Sequence, residues 1–95
     1  MKLIISPEAE QDIENIGDYI ARDNPQRAVT FVDELYSQCQ QIGELPSLYQ
    51  KRPDFGEHIR SCVYGRYLII FSDENNIVRI ERVLHGAREM TAIFH

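Results

Sequence analysis

Two apolar runs, residues 67–71 and 77–84, stand on either side of the polar spacer Ser72-Asp73-Glu74-Asn75-Asn76. This pairing constrains the fold more than any other feature of the chain. Both runs are rich in β-branched and aromatic residues, and the spacer residues readily satisfy turn backbones, so the segment reads as a β-hairpin. A third run, residues 59–64, precedes it across Gly65-Arg66 and extends the hairpin to a three-stranded meander over 59–64, 67–72 and 77–84. The last strand runs directly into His85-Gly86-Ala87-Arg88, where apolar residues give way to a glycine and ionisable groups. Alternation within 77–84 is imperfect. Val78, Ile80 and Leu84 share a parity with Arg82, while Ile77 and Val83 share the other with Arg79 and Glu81. Either Arg82 sits at the rim of the sheet, the reading preferred, or a bulge near Arg82-Val83 switches the facing.

The first half of the chain supplies what covers such a sheet. Lys2-Leu3-Ile4-Ile5 is a short strand. Ser6-Pro7-Glu8 then opens a helix, with Ser6 as cap, Pro7 at its first position and Glu8 and Glu10 at the positive end of its dipole. Ala9, Ile13, Ile16 and Ile20 fall on one face, Tyr19 widens that stripe, and Asp12, Glu14 and Asp18 fall on the solvent side. Asn24-Pro25 ends this helix over 7–22 and starts a second over 25–43, whose apolar face is Ala28, Phe31, Val32, Leu35, Cys39 and Ile42, with Gly43 as its C-cap. Helices joined so briefly pack as an antiparallel hairpin. Residues 44–57 carry two prolines and a glycine without sustained periodicity, and read as a loop linking helix to sheet, either a functional element or a tether held down by Leu45, Leu48 and Phe55. The expected fold is α+β in the order β-α-α-β-β-β, a helical hairpin on one face of a largely antiparallel sheet. The first strand joins at an edge, its neighbour left open.

Ninety-five residues suit one domain with one modest core, taken as 1–95. No apolar run approaches a membrane span and no signal-peptide core is present, so a cytoplasmic chain is expected. Cys39 and Cys62, without CxxC spacing, read as buried free thiols, and neither metal nor cofactor is expected. Net charge is −5, with two lysines, Lys2 and Lys51. A protein that grips a phosphate backbone carries a basic footprint, so direct nucleic-acid binding is not expected. The arginines are nevertheless unevenly placed: Arg52, Arg60, Arg66, Arg79, Arg82 and Arg88 all lie in the second half.

Arg60, Arg82, His85 and Arg88 form the ionisable cluster most suited to chemistry. If the meander forms, Arg60 and Arg82 approach one another near the sheet, with His85 three residues beyond Arg82. An imidazole can shuttle a proton and guanidinium groups can neutralise charge developing on phosphorus. His and Arg at a strand end are equally common as local hydrogen-bonding groups. Phosphate-binding glycine loops, GxSxG, HExxH and dinucleotide fingerprints are missing from the sequence.

The chain resembles the ParE-type toxins of bacterial toxin–antitoxin systems, within the wider RelE/ParE superfamily. The resemblance spans nearly the whole length. Its landmarks are Ser6-Pro7-x-Ala9, Asp18-Tyr19-Ile20-Ala21, Asn24-Pro25 with Ala28, Leu45-Pro46, Ile59-Arg60 and Tyr67-Leu68-Ile69. Arg82-Val83-Leu84-His85-Gly86, followed by Arg88, is the most specific. The chain departs from the commonest pattern at Ala87, where an arginine is frequent, and at Glu89, where an aspartate is. The resemblance implies the architecture derived above. It implies a toxin that inhibits DNA gyrase by binding and is neutralised by a ParD-like antitoxin, with Arg60, Arg66, Arg82, His85 and Arg88 as candidates for contact with target or antitoxin. RelE-like relatives instead cut mRNA on the ribosome. On that alternative the chain is an endoribonuclease and His85, Arg60 and Arg82 are its catalytic candidates; lysine poverty and acidity argue against it. A third reading is a non-toxic interaction module of the same fold.

Overall fold

The computed structural model describes residues 1–86 of the chain. Strand β1 (Lys2–Ile5) leads into helix α1 (Pro7–Ala21), and helix α2 (Pro25–Glu44) returns antiparallel to it. A 3₁₀ turn (Pro46–Leu48) and strand β2 (Gln50–Lys51) follow, then β3 (Ile59–Tyr64), β4 (Tyr67–Glu74) and β5 (Ile77–His85). The five strands form one sheet in the order β1-β5-β4-β3-β2, with β1 parallel to β5 and the other pairs antiparallel. Both helices lie on one face of this sheet, burying Ala9, Ile13, Ile16, Phe31, Leu35, Cys39 and Ile42 against Cys62, Ile69, Phe71, Val78, Ile80 and Val83. This is the expected helical hairpin on a largely antiparallel sheet, and β1 takes its edge place beside β5.

The helix starts follow the sequence signals. Ser6 Oγ accepts the Ala9 N–H at 3.0 Å, and Asn24 Oδ1 accepts the Arg27 N–H at 3.0 Å. Ser6 is also fully buried: its N–H donates to the Ile80 carbonyl at 2.9 Å and its hydroxyl to the Glu81 carbonyl at 2.8 Å. One residue thus caps α1 and fastens it to β5.

Several expectations are corrected. Gly43 is not a C-cap; α2 continues to Glu44, and Gly43 is buried where a Cβ would stand 3.3 Å from Leu3 Cβ. Its missing side chain lets α2 close on β1. Tyr19 lies off the apolar stripe at 52% exposure. The 44–57 segment is held by buried Pro46, by Tyr49 edge-on to Phe71, and by Phe55 packed against Leu68, Ile70 and Leu84, while Leu45 and Leu48 face solvent. The hairpin spacer shortens to Asn75-Asn76, because Ser72, Asp73 and Glu74 pair with Arg79, Val78 and Ile77. Both asparagines adopt positive φ, 54° and 62°, as a two-residue turn matched to strand twist requires.

The bulge, not the rim, accounts for the broken alternation. Ile70 opposes Arg82 and Phe71 opposes Ile80, so Glu81 is the extra residue on β5. Before the bulge Val78 and Ile80 face the helices; after it Val83 does, and Leu84 packs on the opposite face with Leu68 and Ile70.

Candidate functional site

The bulge positions the first group of candidate residues. An extra residue leaves a strand N–H without its ladder partner, and Asp12 on α1 supplies one. Its Oδ2 accepts the Val83 N–H at 2.9 Å, while its two oxygens take Arg82 Nε at 2.8 Å and Nη2 at 2.9 Å. The Asp12 side chain is only 12% exposed, so its expected place on the solvent side is corrected; Glu14 and Asp18 are exposed. Asp12 falls three residues after Ala9 and four before Ile16, and that helical spacing was the signal for an inward position.

Arg60 is held elsewhere. Its Nη1 donates to the Tyr49 carbonyl at 2.8 Å and its Nε lies 3.5 Å from Asp73. Arg60 and Arg82 are therefore engaged by different carboxylates, on β4 and on α1, and not by a common anion. His58 lies 3.7 Å from Glu74 at the exposed end of the sheet.

His85 opposes Tyr67 in register and meets its ring edge-to-face, with centroids 5.4 Å apart. Its Nδ1 is buried and has no hydrogen-bond partner among the described residues. The backbone closes beside it, since the Gly86 N–H donates to the Arg66 carbonyl at 3.0 Å. Gly65, at φ 58°, makes the β3–β4 turn that places this carbonyl. His85 borders two concavities. One, of about 410 Å³, lies against α1 and is lined by Asp12, Asp18, Tyr19 and Arg22 among others. The other, of about 540 Å³, lies at the β3–β4 turn and is lined by Val63, Leu68, Arg52 and Arg66 among others.

Arg66 is exposed and makes no ion pair or hydrogen bond through its guanidinium among the described residues. Arg88 lies outside the described residues. Of the five candidate contact residues, the structure brings Arg66 and His85 to one concavity and binds Arg60 and Arg82 into the fold. Sequence reasoning did not single out Val63, which is 73% exposed on β3.

The thiols offer no nucleophile. Cys39 and Cys62 are free and buried, and burial pushes the Cys39 thiol up to about 12 and raises that of Cys62. Among the described residues no three of His, Cys, Asp and Glu gather as a metal site would require, and no helix is long and apolar enough to cross a membrane.

Comparison with known proteins bears on the fold that carries these residues. The family described as ParE toxin of type II toxin-antitoxin system, parDE, matches the chain over residues 3–90. A solved structure, the chromosomal ParDE TA system from P. aeruginosa, shares the fold with a TM-score of 0.79 at 18% identity, over 90% of this chain and 95% of that one. No curated protein is similar enough in sequence to match.

Proposed function

Because the chain belongs to the ParE toxin family of type II toxin–antitoxin systems, we propose that it is the toxin of such a pair, acting in the cytoplasm by binding DNA gyrase and neutralised by a ParD-like antitoxin. The observation that favours binding over RNA cleavage is the engagement of Arg60 by Asp73 and of Arg82 by Asp12. A phosphoryl-transfer site aims its cations at the charge that develops in the transition state. Here two of the three catalytic candidates neutralise the protein's own carboxylates. The acidic net charge of −5 points the same way.

Expression alone should arrest growth, and co-expression with a ParD-like antitoxin should relieve it. A chain that binds that partner but is harmless alone would be an interaction module. Purified chain added to gyrase and supercoiled DNA should perturb the enzyme, while ribosome-bound mRNA stays intact. Cleaved mRNA with untouched gyrase would reverse the assignment, and His85→Ala should then slow cleavage by ~10²–10⁴-fold without unfolding the chain.

A further inference from the structure

We propose that the groove at the β3–β4 turn docks an acidic, amphipathic segment of the antitoxin, its apolar side chains on Val63 and Leu68 and a carboxylate on Arg66. This rests on the toxin–antitoxin reading and assigns it a place on the surface.

Charge is the first argument. The chain has 15 acidic and 10 basic residues, and each of four other concavities carries at least two carboxylates in its lining. The 540 Å³ groove carries none, and two arginines border it. Arg52 is paired with Asp54 at 2.9 Å and stacked on the Phe55 ring, 4.3 Å from its centroid. Arg66 has no such partner among the described residues. A guanidinium left free beside apolar surface, on an otherwise acidic molecule, selects an anionic ligand.

Shape and polarity are the second. Val63 stands 73% exposed on the sheet face turned away from the helices. Leu68 lies beside it, being opposite in register. Aliphatic floor with a single free cation suits a peptide that alternates apolar and acidic side chains. A nucleic acid would need several cations to neutralise successive phosphates, and aromatic faces on which to stack. The two aromatic rings that line the groove, Tyr67 and His85, already pack edge-to-face on each other, and Tyr67 also meets Phe31.

The test uses the full chain and the protein encoded beside it, with affinity measured by calorimetry or surface binding. Val63→Asp and Arg66→Glu should each weaken association at least ~10-fold, as loss of an interface anchor does. Lys2→Glu, the same charge reversal at the far edge of the sheet, should change it less than ~2-fold. Both test positions are exposed, and circular dichroism and melting should match wild type. Unchanged affinity in both groove variants, with wild-type binding intact, overturns this inference and leaves the toxin–antitoxin reading standing. No wild-type association at micromolar concentration overturns both. Lowered melting of the isolated variants with unchanged affinity would assign the groove to the chain's own residues 87–95, and binding of RNA or DNA oligonucleotides lost on Arg66→Glu would assign it to nucleic acid. Either result also overturns the proposal.

Discussion

Asp12 does for the bulge in β5 what a neighbouring strand does elsewhere in a sheet. The partly buried Val83 N–H finds its acceptor in this carboxylate, at 2.9 Å, and the same group fixes Arg82 in a two-point contact. The two interactions differ in what they contribute. Arg82 is 44% exposed on its side chain, so its attraction is screened by water. The N–H bond is partly buried, and losing its acceptor leaves a donor without a partner. Asp12→Ala should therefore cost ~1–3 kcal/mol in urea unfolding, and Arg82→Ala no more than ~1 kcal/mol. Asp12→Asn, which keeps an acceptor oxygen, should fall between them. An Arg82→Ala loss equal to that of Asp12→Ala would mean that the ion pair, not the strand bond, carries the contact. Asp12 also shows what single-residue reading misses. Its spacing from Ala9 and Ile16 sets it beside the apolar stripe, but the partner that holds it there is the bulge in a strand 70 residues later.

The elements themselves were legible, because each carries its own period and punctuation. Ser6-Pro7 and Asn24-Pro25 start the helices where their side chains cap them, and Gly65 turns β3 into β4. What escaped reading depends on two elements meeting. The parallel pairing of β1 with β5 joins chain segments more than 70 residues apart, and no local pattern encodes it. Strand β2, two residues long, is too short for a period. The bulge was visible as broken alternation, but its side of the sheet was set by Asp12 and Ser6 on a different element. Gly43 belongs to the same class. At a helix end a glycine suggests a cap; here it admits β1 against α2, with Leu3 Cβ 3.3 Å from the position of a Cβ. In an open helix Gly→Ala would add ~1 kcal/mol of stability. At this site the gain meets a contact tighter than side chains ordinarily make. Because β1 is a four-residue edge strand, it can yield by a few tenths of an ångström. Gly43→Ala should thus leave thermal stability within ~1 kcal/mol of wild type. Gly43→Leu should destabilise by ~1–3 kcal/mol through overpacking, with hydrogen exchange rising first in β1. A stabilised Gly43→Leu would show that β1 does not depend on this approach.

At the scale of the whole molecule, the described arginines of the second half of the sequence, Arg52, Arg60, Arg66, Arg79 and Arg82, do not make a basic face. Arg27, Arg52, Arg60, Arg79 and Arg82 lie within ion-pair distance of Glu34, Asp54, Asp73, Glu81 and Asp12 respectively. Arg22 and Arg66 are the arginines that form no ion pair among the described residues. A phosphate backbone would compete for five guanidinium groups that carboxylates already hold, against a net charge of −5. Affinity for nucleic acid grows with the number of phosphates neutralised, and its salt dependence grows with the same number. With so few free guanidinium groups among the described residues, binding of a generic duplex or single-stranded RNA should be weaker than ~10⁻⁴ M in 50 mM salt, with a shallow salt slope. Fluorescence anisotropy measures both. The decisive variant removes the carboxylates and keeps every arginine: Asp12→Asn, Asp54→Asn and Asp73→Asn together raise the net charge by three and release Arg82, Arg52 and Arg60. That variant, checked for folding by circular dichroism, should gain affinity and a steeper salt slope, because the cations are present and merely occupied. Micromolar binding by the wild-type chain, falling steeply with salt, would contradict the argument and return Arg60, Arg82 and His85 to candidacy for RNA cleavage.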